Sequence, residues 1–275
     1  MALIQDYNKL LEYTDDIKKV ILNGNVVWPT VKPTSGPDYT EPFYVENTTD
    51  QTESVTFYRY NSYAPTFDVY YSLDEGDTWN FCGSTAETFT YRNPAHTKVW
   101  FCAETTQWTT QLADPGISIR DCKKVGGNIM SLLYGRNFNG TERTFTGTQY
   151  IFSLLFNGNT VLEDASELLL PATTLVQRCY QAMFGETYNS GACVSLVKGP
   201  TLPDAVRGDG DVTSMFSGCT SLNEVRCFFT TPEPVYGEYD WLTNVSSTGT
   251  FYKKAGVTWR TGSSGIPSGW TVVEV

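Results

Sequence analysis

The 275-residue chain is short of the side chains that most chemistry at neutral pH needs. It has a single histidine, His96, set in the turn-like stretch RNPAHTK. A general base needs an orienting partner and a nucleophile in reach, and a loop histidine shows neither, so serine–histidine hydrolysis is not expected. Cationic residues are scarce as well: 19 Lys+Arg against 30 Asp+Glu leave a net charge of −11. Holding nucleic acid by neutralising its phosphates is therefore disfavoured, and no basic patch for docking on a membrane is visible. Apolar runs never reach the roughly 18 residues of a membrane span, so membrane insertion is not expected. The opening MALIQDYNKLLEYTDD lacks the cationic start and apolar core of a signal peptide, which suggests a product that stays in the cytoplasm where it is made. Neither GxxxxGK[ST] nor GxGxxG occurs, so nucleotide binding has no support. The seven cysteines, an odd number, include no CxxC pair; zinc and redox sites are not expected, and in a reducing compartment the thiols act as small buried apolar groups. No cofactor and no metal are expected.

What the chain has in abundance is aromatic and small polar residues. At 14% aromatic and 18% charged, with many Thr, Ser, Gly and Asn, it has the composition of short strands and turns, and a helical bundle is excluded. Ile4, Tyr7, Leu11 and Ile17 recur at helical spacing, and then the period changes to VILNGNVVWP, two apolar runs joined by Asn23-Gly24, a hairpin signal. Residues 1–29 are too few for a core of their own. They read as an attachment element that docks or trimerises, or as a helix and hairpin packed on the next domain. PTVKPTSGPD, with three prolines, begins a linker placed at 30–41. Over 42–112, FYVEN, VTFYRYN, FDVYYSL, TWNFCG, ETFTY and KVWFCAE alternate at strand length between turn residues, which predicts a small antiparallel β-sandwich. Within it, Ser72, Asp74, Gly76, Thr78 and Trp79 resemble the S-x-D-x-G-x-T-W Asp-box of sialidase-type propellers. One box in so short a stretch implies a stabilised hairpin, not an enzyme.

Beyond residue 126 the chain is similar to itself. LLFNGNTVLEDASELLLPATTL, AMFGETYNSGACVSLVKGPTLPDAV and SMFSGCTSLNEVRCFF align with Phe156, Phe184 and Phe216 at one position. Leu162 and Leu222 follow six residues on, Leu196 follows after a six-residue insertion, and Leu168, Leu202 and Phe228 come six residues later again. A unit near 28 residues lies in the leucine-rich range, where each copy buries its apolar edge only against its neighbours. MFSGCTSLNEV, LLLPATTL, CYQAMF and the ending SSTGTF…GIPSGWTVVEV resemble the BspA-type leucine-rich repeat proteins of Bacteroides-type bacteria and their (crAss-like) phages, over roughly residues 126–275. The resemblance implies a short solenoid over 113–275, with GGNIMSLLYGRNFNG as a degenerate first copy and residues 241–275, carrying Trp241, Phe251, Trp259 and Trp270, as the closing cap. Cys219 stands where the first copy has Asn159, so it is expected to fill space at a tight turn.

The expected fold class is therefore mainly β: a small antiparallel β-sandwich followed by a short capped BspA-type leucine-rich repeat solenoid. Tyr58, Tyr60, Tyr63, Trp100 and Trp108, with Tyr70 and Tyr71, offer rings that stack on sugars, or else form the core half of alternating strands. RGDGD (207–211) reads as a glycine-rich turn between copies, against integrin-like or calcium readings. The modular order suggests a non-enzymatic bacteriophage virion protein assembled in the host cytoplasm: an auxiliary capsid, head-fibre or tail-fibre component. It would bind other virion proteins through residues 1–29, form a homo-oligomer with a trimer favoured, and touch host surface glycans. The alternative is a bacterial cell-surface or secreted BspA-like adhesin. A carbohydrate-active enzyme is the third reading, because catalytic carboxylates about 5–9 Å apart leave no sequence spacing to detect.

Overall fold

The computed structural model describes residues 40–49, 51–109, 116–186, 191–232, 239–262 and 264–275, and the backbone of 21–22 and 25–26. The chain divides into two compact units, Met1–Tyr39 and Thr40–Val275. In the first, β1 (Ile21–Leu22) and β2 (Asn25–Val26) pair antiparallel, with Ile21 opposite Val26 and Leu22 opposite Asn25. That register leaves two residues for the loop, as an Asn-Gly turn requires. The expected N-terminal helix, the Asn23-Gly24 turn and linker residues 30–39 lie outside the described residues.

The second unit is mainly β. In chain order it contains β3 (Tyr44–Glu46), β4 (Ser54–Arg59), β5 (Asp68–Ser72), β6 (Asn80–Ser84), β7 (Phe89–Arg92), β8 (Lys98–Ala103) and β9 (Ile117–Arg120). Then follow β10 (Lys124–Asn128), the single helical turn α1 (Ser131–Tyr134), β11 (Asp164–Leu169), β12 (Lys198–Leu202), β13 (Glu224–Cys227), β14 (Gly249–Lys253) and β15 (Trp270–Glu274). A large mixed sheet runs β15-β14-β13-β12-β11-β10-β3-β8-β5-β6, and a smaller antiparallel sheet runs β7-β4-β9. The large sheet passes through the 112/113 boundary expected from the sequence. Its direction changes at β10, which pairs antiparallel with β3 on one side and parallel with β11 on the other.

In the antiparallel part, strand alternation sends Val55 and Phe57 of β4 and Val99 and Phe101 of β8 inward, all fully buried. The two sheets meet through these rings: Phe57 stacks on Phe89 at 4.9 Å and meets Phe101 edge-on at 5.5 Å, while Tyr91 meets Phe101 at 5.7 Å. The Asp-box residues tie the β5–β6 hairpin as its spacing predicts. The Ser72 hydroxyl accepts from the Gly76 amide at 2.7 Å, and Asp74 accepts from the Thr78 amide at 2.9 Å and its hydroxyl at 2.6 Å. Gly76 takes the positive φ of 86° that this turn needs.

In the parallel part, each strand is preceded by an arc of turns, and successive arcs lie side by side. The amides of Phe152, Leu154 and Phe156 donate to the carbonyls of Cys179, Gln181 and Met183. Those of Tyr180, Ala182 and Phe184 donate to Asp211, Thr213 and Met215, and those of Ser214 and Phe216 to Tyr239 and Trp241. Within an arc the intervening amides turn back three residues, as Leu155 does to Phe152 and Met183 to Tyr180. The conformation repeats with the bonding: Leu154, Ala182, Ser214 and Asp240 share a positive φ, at 62°, 46°, 53° and 50°. These left-handed residues are not glycine, so lateral bonding holds each arc in a backbone region that side chains disfavour.

Inside the arcs the aligned phenylalanines form a column, Phe156 on Phe184 at 5.1 Å and 13°, Phe184 on Phe216 at 5.4 Å and 8°. Leu162, Leu196 and Leu222 are all fully buried, and Leu196 follows its insertion as the alignment expects. One column differs from the sequence alignment. A register irregularity between Lys198 and Thr201 sets Leu202 opposite Cys227, so Cys227 is buried there and Phe228 is only half-buried. Trp241 belongs to the last arc and stacks on Trp259 at 5.5 Å, with Phe251 against both, and its indole N–H donates to the Gly265 carbonyl at 3.0 Å.

Candidate functional site: the outer face of the large sheet

The strand register places one lateral row of charges on the face of the large sheet that points away from the core. Lys98 of β8 is opposite Glu46 of β3, Glu46 opposite Lys124 of β10, and Lys124 opposite Asp164 of β11. Asp164 is in turn opposite Lys198 of β12, and Lys198 opposite Glu224 of β13. Sign alternates at every step, the arrangement in which directly opposed residues attract. Lys124 Nζ lies 2.8 Å from Glu46 Oε2 and 3.1 Å from Glu167 Oε1, Lys98 Nζ 3.0 Å from Glu41, and Arg226 Nε 2.9 Å from Glu224.

Aromatic rings are set into this row. Tyr44 lies across β10 and donates its hydroxyl to Glu167 on β11, with Lys98 Nζ 3.8 Å from its ring centroid. Gly126 makes that path open, because a Cβ there would come within 2.2 Å of the Tyr44 oxygen. The Trp100 indole N–H donates to Glu41 at 2.9 Å, and the Arg226 guanidinium covers Tyr252 at 3.9 Å. Burial, then the Glu167 carboxylate, pushes the Tyr44 hydroxyl far above the usual phenol range. Glu167 is held below the ordinary carboxylate range by the Tyr44 hydroxyl and then by Lys124, and Lys124 is raised first by Glu46. Glu41, Glu46, Glu167 and Glu224 each already hold a donor. The face is chemically suited to polar recognition and not to moving a proton.

Of the residues that the sequence singled out for sugar contact, Trp100 alone lies on this face, where it is half-buried. Tyr58 and Tyr60 meet edge-on at 5.0 Å beneath the Arg120 guanidinium, 4.1 Å and 4.8 Å from their centroids. They point outward from the smaller sheet, on the opposite side of the core from Trp100, since Phe57 and Phe101 beside them both point inward. Arg120 also bonds the Ser118 hydroxyl and the Asn157 carbonyl, and Tyr60 donates to Asn157 Oδ1 at 3.0 Å, so this group also joins β9 to the first arc. Tyr63 projects into solvent with 78% of its surface exposed. Trp108 is a correction: it is fully buried against Phe57 and Phe67, and its indole N–H donates to the Leu132 carbonyl at 3.1 Å, so it has no surface to offer a glycan. Tyr71 packs inward on Tyr91 at 4.6 Å, while Tyr70 lies on the outer side under Arg136.

The remaining candidates for chemistry resolve into structure. All seven cysteines are free thiols and all but Cys82 are buried. Burial pushes Cys122 up to about 12 and raises Cys179, Cys193 and Cys219 well beyond the usual thiol range. Cys193 and Cys219 occupy the same place in successive copies, three residues before the buried leucine. Their thiols donate to the Phe156 and Phe184 carbonyls at 3.1 and 3.4 Å, as Asn159 donates to Cys122 O at 3.0 Å one copy earlier. The arginine of RGDGD is locked into a bidentate pair, Arg207 Nε and Nη2 each 2.6 Å from Asp211, and lies against the Phe229 ring. His96 is exposed at positive φ, in a turn. Among the described residues no group of three or more His, Cys, Asp or Glu is placed to hold a metal, and no helix is long and apolar enough to cross a membrane. The charge row was not legible beforehand, because each member reads only as a polar residue at a strand start and the sign pattern exists only across the register. No protein-family model, curated protein or solved structure matches the chain.

Proposed function

We propose that this chain is a non-enzymatic display protein of a bacteriophage virion, an auxiliary capsid, head-fibre or tail-fibre component. In this reading residues 1–29 attach to other virion proteins, in a homo-oligomer with a trimer favoured. The rest, a β-sandwich leading into a capped BspA-type leucine-rich repeat solenoid, faces outward to host surface glycans. The observation that carries the proposal is the repeated arc, with its stacked phenylalanines at 5.1 and 5.4 Å and its thiols used as carbonyl donors. Such an architecture invests its side chains in extending a surface, and the outer face supplies rings and paired charges for polar ligands.

Mass spectrometry of purified particles is the test of location, with the chain expected at stoichiometric copy number. Its absence from particles, together with abundance in the soluble fraction of infected cells, would sink the virion reading. Glycan binding is tested separately on an array with the intact protein and its Trp100→Ala variant, where the signal is expected to fall at least about tenfold on losing a stacking ring.

A further inference from the structure

The inner face of the smaller sheet ends in a buried polar pocket that the display reading leaves without a role. Along β4 and β7 the register pairs Phe57 with Phe89 and Val55 with Tyr91, and the Asn93 amide donates to the Glu53 carbonyl at 2.8 Å. Glu53 and Asn93 are therefore the next opposed pair on the same inward-facing row, where side chains lie within reach of one another. An apolar row thus ends in a carboxylate and a carboxamide. Asn93 is fully buried and neither end of its side-chain amide has a hydrogen-bond partner; Glu53 has 11% of its side chain exposed, and its Oε2 is buried without a partner. The loop after β3 closes over them. Asn47 Nδ2 donates to the Pro94 carbonyl at 2.6 Å, leaving Asn47 Oδ1 buried and unpartnered, and the Thr48 hydroxyl donates to Glu53 Oε1 at 2.9 Å. Lys123 Nζ approaches Glu53 Oε1 at 3.8 Å, on the oxygen that Thr48 also uses.

Three side-chain oxygens from three segments, one of them carboxylate, are thus withdrawn from water with nothing bonded to them. Leaving such atoms unpaired is costly, and buried polar groups are normally satisfied by protein, water or an ion. Oxygen donors of mixed charge on a turn suit a hard cation that tolerates an irregular shell. Calcium does so, whereas magnesium demands octahedral geometry and keeps most of its water. We propose that Asn47, Glu53 and Asn93 form a weak calcium site that pins the β3–β4 loop to the β7–β8 turn, with water completing the shell and bonding Asn93 Nδ2. Three protein ligands place its affinity among extracellular modules, on the order of 10⁻⁴–10⁻³ M.

The test uses the intact chain stripped with chelator. Millimolar CaCl2 is expected to raise Tm by about 2–5 °C, with MgCl2 giving less than half of that. Tb³⁺ is a second probe: Tyr91, two residues from Asn93, should sensitise its emission on excitation near 280 nm, and Ca²⁺ should displace it. Glu53→Gln keeps the shape and should abolish both responses, and Tyr91→Phe should dim the emission while keeping the Ca²⁺ shift. No Ca²⁺ effect on Tm together with no Tb³⁺ emission would overturn the site and assign the pocket to water. So would responses that survive in Glu53→Gln, because the ion would then be bound elsewhere.

Discussion

The antiparallel and parallel parts of this molecule share one sheet but solve burial differently. From β3 to β9 the core is made by two sheets facing each other, and each ring has a distinct partner: Phe57 touches Phe89, Phe101 and Trp108 in three different geometries. From β10 onward the core is a column, and each residue stacks on its own counterpart in the next copy, as Phe156, Phe184 and Phe216 do. A facing pair of sheets closes on itself. A column has ends, so the parallel part depends on whatever covers its last member, here Trp241, Phe251 and Trp259.

That dependence predicts the largest effect. Removing residues 241–275 uncovers the Phe216 arc and the β13 edge, and the product is expected to be insoluble; soluble, monodisperse material would show that the column needs no cover. Phe184→Ala empties the middle of the column and should cost about 3–5 kcal/mol in urea unfolding. Its hydrogen-exchange footprint should spread through the arcs on both sides, whereas the same change at Phe57 should stay within the two facing sheets. Equal footprints would erase the contrast between the two parts.

At β10, where the two parts meet, Gly126→Val should force the Tyr44 ring off Glu167 and cost about 1–3 kcal/mol by overpacking, read from the urea midpoint. A smaller effect comes from acid. Glu167 is held low by Tyr44 and Lys124; in Asp74 the hydroxyl and amide bonds of Ser72 and Thr78 outweigh the opposing effect of burial. Both carboxylates have depressed pKa values in the folded state, so the unfolded chain binds more protons. Their contribution is complete above the unfolded carboxylate value of about 4 and fades as pH falls below it. Both groups face solvent, so the loss should stay under about 1 kcal/mol each. Glu167→Gln and Asp74→Asn should each flatten the urea midpoint between about pH 5 and pH 3. The smallest perturbation is thiol labelling at neutral pH. Cys82, half-buried in the antiparallel part, should react first, if slowly, while Cys193 and Cys219 in the column stay silent until the chain unfolds. Rapid native labelling of Cys219 would mean that its arc opens.

Several of these features were legible beforehand. The Asp-box spacing identified its own turn, because its bonds join residues at most four apart. Phe156, Phe184 and Phe216 could be aligned because a column repeats its spacing. Trp108 and Phe228 were misplaced for the complementary reason. Which side of the chain faces the core at Trp108, and how a bulge shifts β12 against β13, depend on strands far away in sequence.

By itself the sequence determined a mainly β chain, its turns and the period of its copies, since those rest on local backbone preference and on hydrophobic repetition. Tertiary structure alone decided the alternating charge row, the separation of Trp100 from Tyr58 and Tyr60, and the polar pocket at Asn93. Each of these is fixed by register between strands, and register is set by which partner a strand finds, a choice that no single segment contains.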